Sequence, residues 1–357
     1  MIYTKTPFRM SFLGGGTDYQ PFFERYGGSV ISTTFDKYSY VSVRHMPRFF
    51  DYRNQLTYSR IERASTVDGI EHPMVRNAMK MLDMDELFIG YDADLPARSG
   101  LGSSSSFAVG LLHAFHALKG HYAGKEQLAR EAIYLERELC GESGGWQDQI
   151  AVSYGGLNRI NFCAGGFDVK PIIITKQRKE LLNQNLMMFF TGFSRLSSEI
   201  AADQVKATRN KTDELLEMMR LVDEGERILS DRHSDLDDFG RLLNESWQLK
   251  RGLTKKVSTD ILNQIYNTAI RNGAIGGKLL GAGGGGFFIF YVPEERQDAV
   301  RASLKNLLYV PFRFEDAGAE ILYYRPEEYI AEQAERENTY EKSVNNRHDR
   351  YGRVAFG

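Results

Sequence analysis

Pro96-Ala97-Arg98-Ser99-Gly100-Leu101-Gly102-Ser103-Ser104-Ser105-Ser106, followed at once by Phe107-Ala108-Val109-Gly110-Leu111-Leu112, sets a glycine–serine loop directly on the start of an apolar segment. The apolar run predicts a buried helix over 104–118. Amides at a helix N-terminus lack intrahelical acceptors and carry the positive end of the helix dipole. Glycines let a backbone approach a ligand closely, and serine hydroxyls donate to oxygen or coordinate Mg²⁺. A plain helix cap needs one serine. Two glycines and four consecutive serines mark an anion site of the kind that cradles phosphate. The loop is not a Walker A loop, because no Gly-Lys-Ser/Thr follows its glycines, and at Gly277-Lys278 the next residue is Leu279.

Working outward, 34 glycines in 357 residues exceed the usual share of about 7%. Two more clusters hold much of the excess: Gly14-Gly15-Gly16, and Gly281-Ala282-Gly283-Gly284-Gly285-Gly286. The second matches the dinucleotide fingerprint by letter, but a strand-like run, Phe287 to Val292, follows where that motif needs a helix. Gly141-Glu142-Ser143-Gly144-Gly145 spells a nucleophile elbow, yet a helix precedes it where a strand should stand.

Residues 1–60 read as strands, with period-two alternation at Ser39 to Arg44 and a β-branched run at Val30 to Thr34. A helix is expected over 72–83, a strand over 87–91, a helix over 125–140, and strands over 157–162 and 172–175. The pattern restarts with a strand over 186–191. Helices over 196–231, 235–251 and 258–272, a strand over 287–292, a helix over 294–308 and a strand over 319–324 complete an α+β second half. The expected division is an N-terminal domain over 1–185, a C-terminal domain over 186–335 and a charged tail over 336–357.

Lys+Arg 45 against Asp+Glu 47 leaves a formal charge of −2, so no bulk field recruits nucleic acid. The ligand is expected to be small. No apolar run approaches the ~20 residues needed to span a bilayer, and the N-terminus lacks the charged-then-apolar pattern of a secretory signal. Two cysteines without metal or redox spacing fit a reducing compartment, so a cytoplasmic protein is expected.

On the helix over 125–140, Leu128, Ala129, Ala132, Ile133, Leu135, Leu139 and Cys140 form the apolar stripe, and Glu136 lies among them. Buried unpaired, a carboxylate there would be costly, so it should face a metal or a basic side chain. Asp148, in Trp146-Gln147-Asp148-Gln149-Ile150, reads by itself as a helix cap or a surface aspartate. His113 and His116 share a helix face but lack a third ligand, and read as packing residues. Arg44, His45, Arg48 and Arg53 with Phe49, Phe50 and Tyr52 read as a solvated hairpin.

Taken in order and spacing, the three glycine clusters resemble the three motifs of the GHMP small-molecule kinases. The first is Pro7-Phe8-Arg9 through Gly14 to Thr17-Asp18-Tyr19, the second runs from Pro96 to Ser104, and the third from Lys278 to Gly286. Glu136-Arg137 and Asp148 with Gly155-Gly156 stand where the family has its metal-binding glutamate and catalytic aspartate. The resemblance implies an N-terminal α/β domain with a left-handed β-α-β unit, a C-terminal ferredoxin-like domain and an active site between them. It implies ATP on Pro96, Arg98, Ser99, Gly100, Leu101, Gly102, Ser103, Ser104 and Ser105, with Mg²⁺ on Ser104, or Ser103, and Glu136. It further implies that Asp148 orients or deprotonates an acceptor hydroxyl and that Arg9 sets its charge. Gly15, Gly16, Thr17, Asp18, Lys278, Gly283 and Gly284 would face the acceptor.

Gly14-Gly15-Gly16-Thr17-Asp18-Tyr19 stands where galactokinases have Gly-Glu-His-Thr-Asp-Tyr, and one extra residue separates Glu136 from Asp148 relative to mevalonate kinases. Thr6-Pro7-Phe8-Arg9-Met10-Ser11-Phe12 with the triple glycine, and Gln147-Asp148-Gln149, are most similar to the D-glycero-D-manno-heptose 7-phosphate kinase branch. That branch phosphorylates the anomeric hydroxyl to the 1,7-bisphosphate, toward nucleotide-activated heptose. A fucokinase-like enzyme and a catalytically silent sugar sensor are the alternatives.

Overall fold

Strand β1 (Ile2–Leu13) and strand β2 (Gly28–His45) form a long antiparallel pair that carries the first half of the molecule. The computed structural model describes residues 1–47, 49–97, 99–192, 202–205, 211–253 and 257–326. The two stretches read separately at Val30 and Ser39 are one strand, because the β-branched run and the alternation are continuous in register against β1. That register slips between Pro7 and Phe8, where proline has no amide to give the ladder. Two residues on, Arg9 N–H donates to the Leu101 carbonyl at 3.0 Å. A break in strand pairing thus couples β1 to the glycine–serine loop.

Helix α1 (Gln20–Tyr26) joins these two strands. Strands β3 (Asn54–Thr57) and β4 (Ile61–Ala64), helix α2 (Pro73–Met81) and strand β5 (Leu87–Ala93) follow, and β3 runs parallel to β5. Helix α3 (Ser103–Leu118) is buried along nearly its whole length and lies on β1 and β2, as its all-round apolar sequence requires. Helix α4 (Lys125–Tyr134) does not continue as α-helix to 140. It widens into a π-helical turn over Leu135–Leu139.

Helix α5 (Gln147–Tyr154) leads to strands β6 (Asn158–Cys163) and β7 (Gly166–Pro171). The strand expected over 172–175 is therefore displaced to 166–171. Pro171 ends the ladder, and Ile173 stands 79% exposed.

Helix α6 (Lys176–Gln184) enters a second sheet made of β8 (Leu186–Phe190), β9 (Gly276–Leu279), β10 (Phe287–Tyr291) and β11 (Leu308–Tyr309). Its spatial order is β11-β8-β10-β9, antiparallel throughout, the ferredoxin-like arrangement. Helices α7 (Thr212–Ser230), α8 (Asp237–Leu253) and α9 (Asp260–Arg271) separate β8 from β9, and α10 (Gln297–Ser303) precedes β11. The helix expected over 294–308 is thus a 3₁₀ turn followed by two turns of α-helix. The first residues of the helix expected from 196, and the tail over 336–357, lie outside the described residues.

After the second sheet the chain returns. Strands β12 (Phe314–Glu315) and β13 (Glu320–Tyr324) pair with β2 and β1, so the first sheet draws strands from both ends of the sequence. One core cluster spans both sheets: Phe8, Phe12 and Phe35 share it with Phe239, Phe287 and Tyr291. The rings of Phe12 and Phe239 meet edge to face at 5.6 Å. Among the described residues no helix is long and apolar enough to cross a membrane.

Candidate active site

The cleft between the halves is built on the N-terminus of α3. Gly102 caps that helix in the left-handed conformation, φ 73°, which glycine adopts without penalty. The first helical bond runs from Ser106 N–H to the Gly102 carbonyl (2.8 Å), so the amides of Ser103, Ser104 and Ser105 precede the ladder at the positive end of the dipole. Gly100, Gly102, Ser103, Ser104 and Ser105 line the cleft. Pro96, Ser99 and Leu101 do not. Leu101 is fully buried in the shared core, and buried Ser99 packs its carbonyl under Gly286. Arg98 lies outside the described residues.

Arg9 rises from β1 and grips Asp148, at the N-terminus of α5, with two parallel bonds: Nε to Oδ1 at 2.8 Å and Nη2 to Oδ2 at 2.6 Å. Its third nitrogen donates to the Gly100 carbonyl at 2.6 Å. A bidentate charge-assisted pair of this kind fixes both partners in orientation. Asp148, which by itself reads as a cap or surface residue, is held by both carboxylate oxygens and faces the phosphate loop.

Asp18 is 1% exposed and accepts the amide of Gly16 at 2.9 Å. Burial, together with the nearby Asp148 charge, raises its carboxyl above the usual range, while the backbone bonds oppose the shift. Gly15 and Gly16 line the same wall. Thr17 is buried and spends its hydroxyl on the Gly14 and Ser29 carbonyls (2.8 and 2.9 Å), so it shapes the loop from behind.

Glu136 sits in the π turn, 1% exposed, and its Oε2 accepts from Ser105 Oγ at 2.7 Å and from Gln149 Nε2. The sequence reading paired it with Ser104 or Ser103. Ser105 is its direct neighbour, and Ser104 stands exposed at the mouth. Among the described residues no ion pair to a basic side chain is found at Glu136, and Ser105 and Gln149 are the donors that hold its Oε2. Among the described residues no group of three His, Cys, Asp or Glu could hold a metal alone. A single carboxylate beside serine hydroxyls fits Mg²⁺, which binds through few protein ligands and shares the rest with phosphate and water.

The third glycine cluster interlocks with the phosphate loop. Gly100 (φ 80°) and Gly281 (φ 78°) touch backbone to backbone: a Cβ on Gly100 would stand 2.4 Å from the Leu280 carbonyl oxygen. Gly281 and Ala282 line the cleft, whereas Gly283 and Gly284 pack on Val257. Lys278 is fully buried under the site, donating to the Phe12 carbonyl at 2.8 Å, and desolvation depresses its pKa well below the usual range. The geometry therefore puts Thr17, Lys278, Gly283 and Gly284 behind the wall, where the sequence reading expected acceptor contacts.

The second half contributes a cation that sequence reading missed. Lys250, in the last turn of α8, is 6% exposed, lines the cleft and donates to the Gly281 carbonyl at 2.5 Å. Burial pushes its ammonium down to about 8, with Arg9 acting in the same direction and Asp18 and Asp148 opposing. Leu243, Ser246, Trp247 and Leu253 share its buried face. The argument that singled out Glu136, a charge on an apolar stripe, was available for Lys250 as well. Arg137 also lines the cleft and holds the 142–145 turn through the Glu142 and Gly145 carbonyls.

Fold and site together define a small-molecule phosphotransferase, with an anion-binding helix end, a metal-competent carboxylate and an oriented aspartate around one cleft. Models of the GHMP kinases N terminal domain and the GHMP kinases C terminal domain match residues 72–156 and 228–310. The D-glycero-alpha-D-manno-heptose 7-phosphate kinase of Campylobacter jejuni is 30% identical over 87% of this chain and 95% of its own length. The bifunctional fucokinase/GDP-fucose pyrophosphorylase of Arabidopsis thaliana is 25% identical over 84% of this chain but only 31% of its own. The crystal structure of a D-glycero-D-manno-heptose 1-phosphate kinase from Bacteriodes thetaiotaomicron superposes with a TM-score of 0.74 at 25% identity, covering 91% of this chain and 100% of that one. The chain belongs to the GHMP kinase family, and it is a phosphotransferase acting on a sugar.

Proposed function

We propose that the enzyme transfers the γ-phosphoryl group of ATP to the anomeric hydroxyl of D-glycero-D-manno-heptose 7-phosphate, giving the 1,7-bisphosphate. The observation that carries the reaction type is the Arg9–Asp148 pair facing the N-terminus of α3. The acceptor rests on the Campylobacter jejuni relative, which this chain matches along nearly its whole length.

Phosphoryl transfer asks for in-line positioning and charge stabilisation more than covalent help. The glycine–serine loop and the amides opening α3 receive the nucleotide phosphates. Glu136 with Ser104 or Ser105 would hold Mg²⁺, whose contribution when bound is to neutralise phosphate charge. Asp148, its carboxylate aimed by Arg9, accepts the hydrogen of the anomeric hydroxyl and directs the oxygen lone pair toward the phosphorus. Asp18 and the Gly15–Gly16 wall receive the sugar. In this reading residues 1–185 supply the nucleotide and acid–base groups, and 186–335 close the acceptor side. A cytoplasmic location, where ATP is available, accords with two free cysteines, Cys140 and Cys163. A silent sensor is disfavoured by the presence of Glu136, Asp148 and the complete loop.

The test is ADP release with Mg-ATP across D-glycero-D-manno-heptose 7-phosphate, mannose, fucose, galactose and mevalonate, with phosphorus NMR of the product. A new anomeric phosphate on the heptose phosphate alone supports the proposal. Turnover only on an unphosphorylated sugar replaces it with a fucokinase-like reading.

A further inference from the structure

Gly15 is not explained by its backbone conformation, since its φ lies outside the left-handed region that favours glycine. Space explains it. A Cβ at residue 15 would lie 3.5 Å from Ser11 Oγ, 3.8 Å from Gln147 Nε2 and 3.9 Å from Lys250 Nζ. Three polar side chains from β1, α5 and α8 therefore surround the bare Cα of Gly15, and all four residues line the cleft. Two of them are unsatisfied: Ser11 Oγ is buried without a partner, and so is Gln147 Oε1. Gln147 turns its Nε2 toward Gly15, and Oε1 is the orphan; buried polar atoms are nearly always paired, so orphans on two neighbouring residues that line one cleft point to a ligand there. Lys250 has one bond, to the Gly281 carbonyl, and spare donors on its ammonium.

We infer that Ser11, Gln147 and Lys250 form an acceptor subsite that grips one hydroxyl oxygen of the sugar, a neighbour of the hydroxyl that reacts. A hydroxyl suits this place because it accepts from the ammonium and exchanges hydrogen bonds with Ser11 and the Gln147 amide. A phosphate dianion does not suit it, because Asp18 and Asp148 both act on the same ammonium and would repel it. Lys250 comes from the second half and Ser11 and Gln147 from the first, so this subsite exists only when the halves are docked. The inference rests on the sugar kinase activity.

The test uses the full-length enzyme with whichever acceptor of the panel the wild type turns over, so that a wrong acceptor shows in the wild type and a wrong subsite only in the variants. Lys250→Met, Lys250→Arg and Gly15→Ala are compared for acceptor KM, kcat, ATP affinity and urea unfolding. Alanine at 15 meets only ordinary van der Waals contacts, so this variant folds while its methyl group projects among the three side chains and crowds a sugar oxygen held by them. The expected result is an acceptor KM raised about tenfold or more in Gly15→Ala and Lys250→Met, partial recovery in Lys250→Arg, and ATP affinity within about twofold of wild type. An unchanged acceptor KM in Gly15→Ala and Lys250→Met overturns the subsite. So does a parallel loss of ATP and acceptor affinity in Lys250→Met, which makes Lys250 only a pin for the glycine loop.

Discussion

Asp148 taken alone reads as a cap or a surface aspartate, and what orients it is one partner. Arg9 satisfies both carboxylate oxygens, so replacing Asp148 by Asn keeps the shape but removes the charge and one acceptor. Asp148→Asn should bind ATP within about twofold of wild type and lose about 10²- to 10⁴-fold in kcat, measured by ADP release. Turnover near wild type would remove the aspartate from the chemistry. At Lys250 the pH behaviour has a definite sign. Its folded pKa of about 8 lies below the ordinary value of 10.5, so between these limits the unfolded chain binds more protons, and stability rises with pH. The wild type should therefore gain about 2 kcal/mol over Lys250→Met between pH 8 and pH 10 in urea unfolding, with the differential change fading out below about pH 7. Arg9, Asp148, Asp18 and Glu136 were legible because each sits in a short motif or a periodic stripe. Lys250 was marked by its buried helix face and overlooked, whereas Ser11 and Gln204 were not legible, since their neighbours in space come from other parts of the chain. Gln204, for example, joins the Tyr19 hydroxyl at 2.7 Å to the Ala282 carbonyl at 2.6 Å.

At the level of elements, the glycine–serine loop and the third glycine cluster behave as one unit, because each allows the other's backbone to pass. Gly100→Ala forces a Cβ to 2.4 Å from the Leu280 carbonyl at a positive φ, so the loops must separate or distort. The expected cost is about 1–3 kcal/mol in urea unfolding, with weakened ATP affinity as the loop shifts. A variant as stable as the wild type, with unchanged ATP binding, would show that the contact is dispensable. The glycine runs were read correctly as places of close approach, but not that much of the approach is between the loops themselves. The π turn over Leu135–Leu139 was invisible for a different reason. Periodicity reports which face is apolar, and an extra backbone residue in one turn changes that pattern too little to be seen. π turns of this kind often accompany functional sites, and this one carries Glu136.

For the molecule as a whole, the order of most elements was legible in the sequence, because long periodic helices and β-branched runs are local signals. It did not show that the chain comes back. The strand expected over 319–324 exists, but it pairs with β1 rather than with the second sheet, and strand pairing between distant segments leaves no periodic trace. A fragment ending at residue 185 would lack β12 and β13 and would expose the face of Phe8, Phe12 and Phe35 that packs against the second half. Such a fragment should give no cooperative urea transition and no near-ultraviolet circular dichroism of fixed aromatic rings. A sharp transition would show the first half to be autonomous.

The returning strands also have a consequence for how the protein is born. About 140 residues separate the end of β7 from β12, and at roughly 5–20 residues per second a ribosome needs on the order of ten seconds or more to make them. Throughout that interval the nascent first sheet has an open edge along β1 and uncovered phenylalanines, the conditions under which a growing chain depends on chaperones for protection.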